Sequence, residues 1–147
     1  TMLAESAIAS ISHLIQLSVA PVFLLTGVGS ILGVLAGRVG RIVDRARKLE
    51  AQLPNTPAAQ RADVHLELRR LSNRAHLTYW AISLCTVCAL LVCTMIALLF
   101  VGDFMNVSMA EFVALLFITA MLSLICGLLC FLREVYMAIR YLRLEID

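Results

Sequence analysis

Five cysteines, three histidines and a cluster of arginines around one aspartate are the side chains with most chemical potential in this sequence. Cys85 and Cys88 have the two-residue spacing of redox pairs and metal sites, and Cys93, Cys126 and Cys130 follow. Either use needs thiolates. All five cysteines sit within long apolar runs, with no histidine or carboxylate close in sequence, so a thiolate is strongly disfavoured there. They read as small, buried, apolar side chains, and neither a metal nor a cofactor is expected. Cysteine-based redox or metal handling stays open only as a minor alternative. His13, His65 and His76 lie far apart and show no ligand spacing.

The second constellation is basic. Arg38, Arg41, Asp44, Arg45 and Lys48 follow one another closely, with Arg41 to Asp44 and Asp44 to Lys48 at the three- and four-residue steps of helical pairs. If the chain folds back with Gly37 level with Leu77, Asp44 faces Arg70 and Arg74. The expectation is an ion-pair network of Arg38, Arg41, Asp44, Arg45, Arg70 and Arg74 that sets the register of two helices. The same residues form a candidate anion or lipid-phosphate site. The sequence has no nucleophile, base and orienter set, no phosphate-cradling loop after a strand, and no aromatic and basic platform for nucleic acid. An enzyme is not expected, and nucleic acid is not an expected partner.

These residues must be positioned by elements suited to lipid. The 147 residues are 61% hydrophobic and 15% charged, with a mean hydropathy of +0.93, against roughly 45–50% apolar and 25% charged in soluble domains. Such a balance excludes a water-soluble globule and a disordered chain. Three uncharged runs, Leu14 to Gly37, Leu77 to Gly102 and Phe112 to Leu132, each reach the roughly 20 residues that a helix needs to cross a bilayer. They lack the alternation of barrel strands, so all-α spans are predicted. The first run does not read as a cleavable signal peptide, because basic residues follow it rather than precede it.

All 12 Lys and Arg residues fall between the first two runs or after the third. By the positive-inside rule those parts are cytoplasmic and the N-terminus is outside. The chain then reads as a single membrane domain: an outer segment 1–13, span 14–37, a cytoplasmic helical hairpin 38–76, span 77–102, an outer loop 103–111, span 112–132 and a cytoplasmic tail helix 133–147. Basic residues so close to the bilayer make anionic lipid headgroups an expected partner.

Apolar residues at Val39, Ile42, Ala46, Leu49 and Leu53, and at Val64, Leu68, Leu71, Ala75 and Thr78, step by threes and fours along two helical seams. The intervening Leu53-Pro54-Asn55-Thr56-Pro57 reads as a turn, with Thr56 capping the second arm and Pro57 at its first position. Spans one and two thus extend as an antiparallel, coiled-coil-like hairpin. Ser108 and Glu111 have capping-box spacing before the third helix. A stripe of Val135, Ala138, Ile139, Leu142 and Ile146 could lie against the hairpin. Pro21 should bend the first helix, and the segment before it, polar on one side, should lie in the outer interface.

Small residues recur in span one at Thr26, Gly29, Ser30, Gly33 and Gly37, a face that lets helix backbones approach closely in lipid. It reads as a helix-packing face within the protomer or between copies, or as a pore lining if copies close into a ring. Intramembrane charges are absent, which argues against a pump or proton-coupled carrier.

The strings Ser18-Val-Ala-Pro-Val-Phe-Leu-Leu-Thr-Gly27 and Arg41-Ile-Val-Asp-Arg45, with Gly37-Arg38 between them and Arg69-Arg-Leu-Ser-Asn-Arg74 later, carry a likeness over nearly the whole chain. It resembles a family of small bacterial inner-membrane proteins known only as a domain of unknown function. The resemblance implies a bacterial, Gram-negative, multi-span protein of the inner membrane, and it implies no activity. The function expected is therefore a non-enzymatic scaffold or accessory subunit, a homo-oligomer or part of a larger membrane complex, with a homo-oligomeric pore lined by span one as the alternative.

Overall fold

A computed structural model describes residues 1–146 of the chain. It consists of three long helices, α1 (Met2–Gln52), α2 (Ala58–Phe104) and α3 (Ala110–Ile146), with a single 3₁₀ turn at Leu53–Asn55 between the first two. No strand occurs among the described residues. At 1.5 Å per residue α1 is roughly 77 Å long, well over twice the hydrocarbon thickness, so each span continues beyond it. All three helices are long and apolar enough to cross a membrane. In their most apolar windows only 17%, 22% and 11% of the residues are buried. Side chains such as Phe23, Leu90, Leu122 and Leu129 point outward, a surface that water would not tolerate and lipid tails match.

The buried positions repeat every seven residues. In α1 the row is Val28, Leu35 and Ile42, while Ser18, ten residues before Val28, is buried outside it. In α2 two such rows run side by side, Leu71, Thr78, Cys85 and Val92, and Ala81, Cys88 and Met95. In α3 the row is Ala120, Gly127 and Glu134. A seven-residue period keeps a seam in register between helices that cross at a shallow angle. Because α2 carries two rows, it is the central helix, packed against both α1 and α3, and members of both rows, Ala81 and Cys85, come close to Gly127 of α3. Arg45 pairs with Glu67 and, toward the opposite end, Ser10 with Asp103, so steps back along α1 match steps forward along α2 and the two are antiparallel.

Both seams expected in the hairpin arms are more buried than their neighbours, from Val39 through Leu53 on α1 and from Val64 through Thr78 on α2. The details of the turns differ. The Thr56 hydroxyl donates to the Gln52 carbonyl at 2.7 Å, closing the turn backward, while Pro57 stands just before the first residue of α2. The α3 helix begins at Ala110, which puts Glu111 second in the helix, one place short of a capping box with Ser108. The α2 helix instead stops by its own device. Asn106 has a φ of 54°, and the Val107 and Asn106 amides donate to the carbonyls of Gly102 and Asp103, a Schellman closure in which asparagine tolerates the left-handed position.

The segment before Pro21 is helical and continuous with the rest of α1, which passes unbroken through the proline. In the tail stripe Val135 and Ala138 are half-buried while Ile139 and Leu142 are exposed. The side chain of Ile146, and Asp147, lie outside the described residues.

Helices α2 and α3 approach closely at Gly127, whereas the glycines of α1 meet nothing within 4 Å. A Cβ on Gly127 would stand 3.1 Å from Cys85 Sγ and 3.3 Å from both the Ala81 carbonyl oxygen and Leu84 Cβ. One turn earlier, the Ser123 hydroxyl donates to the Leu84 carbonyl at 2.7 Å. Small residues and interhelical hydrogen bonds are what hold helices together in lipid. Replacing Gly127 by valine crowds a branched side chain against the Ala81 carbonyl, Cys85 Sγ and Leu84 Cβ and should cost roughly 1–3 kcal/mol, seen as a lower unfolding midpoint in detergent; Gly33→Ala, which meets nothing within 4 Å, should leave the midpoint in place.

Candidate functional site

The Glu134 side chain is fully buried, at 0% exposure, on the α3 face that continues the Ala120 and Gly127 row. An isolated buried carboxylate is very costly, so partners must reach it. They come from the other two helices. Arg38 on α1 donates to Oε2 through Nε at 2.9 Å and through a terminal nitrogen at 2.6 Å, and Arg74 on α2 donates to Oε1 through Nε at 3.0 Å. Each carboxylate oxygen thus has its own guanidinium. The Arg38 guanidinium also lies over the Phe131 ring, 5.5 Å from its centre, a cation–π contact with α3.

The triad occupies one level of the bundle. Arg38 directly follows the apolar run of α1, Arg74 stands three residues before that of α2, and Glu134 two residues after that of α3. Both arginines keep some access to water, with side chains 27% and 23% exposed. Six residues after Arg74 along α2, Trp80 donates its indole N–H to His76 at 3.0 Å, and Tyr79 and Trp80 are half-exposed. Aromatic side chains with a polar edge favour the level where hydrocarbon meets headgroups.

Of the six residues expected to form the ion-pair network, Arg38 and Arg74 meet at Glu134, and Arg45 pairs with Glu67 at 2.6 Å in an exposed position. Arg70 lies in a groove beside Arg74. Arg41 and Asp44 are exposed, and Asp44 makes no ion pair among the described residues. The expected central acid is therefore replaced by Glu134. The reason is angular: Asp44 is two residues past the buried Ile42, about 200° around the helix from the seam, so it cannot face α2. Glu134 was overlooked because a glutamate just past an apolar run reads as a solvated tail residue. Its signal was its phase with Ala120 and Gly127.

The small-residue face of α1 is open. Thr26, Gly29, Ser30, Gly33 and Gly37 are exposed, and a Cβ at any of the three glycines meets nothing within 4 Å. Packing within the protomer, one of the expected uses, is excluded by this placement. The hydroxyls of Thr26 and Ser30 donate to the carbonyls of Val22 and Thr26 in their own helix. All five cysteines are free thiols: Cys85 and Cys88 are buried, Cys130 is half-buried, and Cys93 and Cys126 face outward. No three His, Cys, Asp or Glu side chains converge as a metal set among the described residues.

Three lipid-length helices bound by a buried charge triad define a small multi-pass α-helical membrane protein. The chain belongs to the family described as "Protein of unknown function (DUF2721)", whose model matches residues 18–144. No curated protein and no solved structure matches it.

Removing one member of a buried ion group strands the others. Glu134→Gln should cost about 3 kcal/mol, the low end of that effect because both guanidiniums retain water, whereas Arg45→Gln at the exposed pair should cost less than about 1 kcal/mol. Denaturant titration of the purified protein in mixed micelles measures both.

Proposed function

We propose that this chain is a non-enzymatic scaffold or accessory subunit of a bacterial inner membrane, with the N-terminus outside and the basic end cytoplasmic, that assembles with copies of itself through the open face of α1. One observation carries the reading: five small residues in succession on α1 are turned away from both partner helices, leaving backbone uncovered. Lipid tails fill such a groove poorly, and a second helix fills it well. The hydroxyls on this face already satisfy themselves, so a partner helix can cover them at no hydrogen-bonding cost. The placement of all 12 basic residues at one end supports the orientation.

Native mass spectrometry of the wild type should find copies associated, and Gly33→Leu should return the protein to monomer without lowering the unfolding midpoint of the protomer. A monomeric wild type overturns the assembly. A closed ring of copies that also carries ion flux in liposomes would favour the pore alternative over the scaffold.

The membrane level has its own test, because Trp80 is the only tryptophan. Lipids brominated near the carbonyl end of the acyl chain should quench its emission more than lipids brominated near the terminal methyl. The reverse order would move the bilayer away from the level of the triad.

A further inference from the structure

The open face of α1 does not end with the apolar run. Thr26, Gly33 and Gly40 each stand two residues before a member of the buried row Val28, Leu35 and Ile42, and Ser30, Gly37 and Asp44 each stand two residues after one. Arg47 and Ala51 flank Leu49, the next place in that row, in the same way. These residues therefore share the side of α1 turned away from α2, in alternating steps of four and three over 26–51. All of them are exposed. The face is about 38 Å long at 1.5 Å per residue. Its side chains are small except at two places, Asp44 and Arg47, and an added Cβ on Gly40 beside them would meet nothing within 4 Å.

Those two charges identify what covers the face. Neither makes an ion pair among the described residues, although Asp44 has Arg41, Arg47 and Lys48 at helical pairing distance on its own helix. An acid followed one turn later by a base is complementary to itself under a twofold rotation, because the acid of each copy meets the base of the other. We propose that the Asp44 and Arg47 level docks a second copy of this chain, with α1 parallel to the partner's α1 and each Asp44 paired to the partner's Arg47. The inference deepens, and rests on, the self-assembly through the small residues of the same face.

Orientation and reach agree with this pairing. Identical chains insert in one sense, so their α1 helices run parallel and equal residues come level. Helical side chains lean toward the N-terminus of their own helix, which carries the Arg47 guanidinium back over the roughly 4.5 Å of axial rise that separates it from Asp44. Gly40 and Ala51 leave room for the two backbones to stay close on either side of the charges. Association takes water from both groups, so each must find its opposite. In register they do. A slip of seven residues would set Asp44 against Ala51 or Gly37 and leave the charges unpaired, and a polar place in a helical seam fixes register in this way. The glycines thus provide closeness, and the charged level provides alignment.

The test uses full-length protein in mixed micelles, with copies counted by native mass spectrometry. The wild type should be a dimer. Asp44→Arg brings two arginines from each copy to one level, and Arg47→Asp brings two carboxylates from each, so either variant alone should self-associate about tenfold more weakly than wild type. Mixed together, with one isotopically labelled, the two variants should form heterodimers in preference to either homodimer. A double variant carrying both changes should dimerise like the wild type. The unfolding midpoint of the protomer should not move in any of them, because both side chains are exposed and unpaired. If Gly33→Leu dissociates the wild-type dimer while both charge variants still associate at full strength, or if heterodimers are no commoner than chance, this inference falls and the small-residue assembly stands. A monomeric wild type overturns both. Closed rings of three or more copies overturn the twofold pairing and leave the open face as a ring contact.

Discussion

The bundle depends on a carboxylate that cannot be buried alone. Glu134 sits at a core position of α3, where the physical alternatives are neutralisation, expulsion or pairing, and Arg38 and Arg74 provide the pairing from the two remaining helices. Apolar seams fix which faces meet but constrain sliding weakly, because one leucine can replace another a turn away. A charge group with three fixed members does not allow that freedom. It locks axial position and rotation of all three helices at one level, and the seven-residue rows then follow from that level in both directions.

Packing above and below the triad uses different materials. In the apolar part, α2 and α3 come close through Ala81, Cys85, Ser123 and Gly127, where small size is what matters. Cys85 is part of this close contact and Cys88 is buried in the adjoining row of α2, which gives their two-residue spacing a steric rather than a chemical reason. In the basic part the arms carry larger side chains, Ile42 and Leu71 among them, as water outside makes apolar burial favourable again. One continuous helix thus obeys two solvents along its length.

Much of this was legible in the sequence. Three spans, two seams and the turn near Pro54 all follow from local pattern, because each reports which face of a single helix avoids water or charge. Pairings between helices were harder. Asp44 had ideal spacing to Arg41 and Lys48 within its own helix, and local spacing says nothing about which way that helix faces. Glu134 showed the opposite pattern, with no conspicuous neighbours but a correct phase. The α1 glycines drew attention as a contact surface because they are clustered, whereas the small residues that join α2 and α3 are scattered over two helices and become a set only after folding. Sequence patterning records amphipathic faces well and the choice between equivalent partners poorly.

The two ends of the bundle are held unequally. At the basic end the triad ties all three helices, while at the far end one exposed side-chain hydrogen bond of 3.2 Å, from Ser10 to Asp103, joins α1 to α2 among the described residues. An open apolar cleft of about 940 Å³ separates them there, bordered by Ile11, Leu14, Phe100 and Phe104. A bilayer that thins or thickens therefore meets a structure with a fulcrum: the clamped level stays put, and α1 takes up the mismatch by splaying at the opposite leaflet, where little resists it.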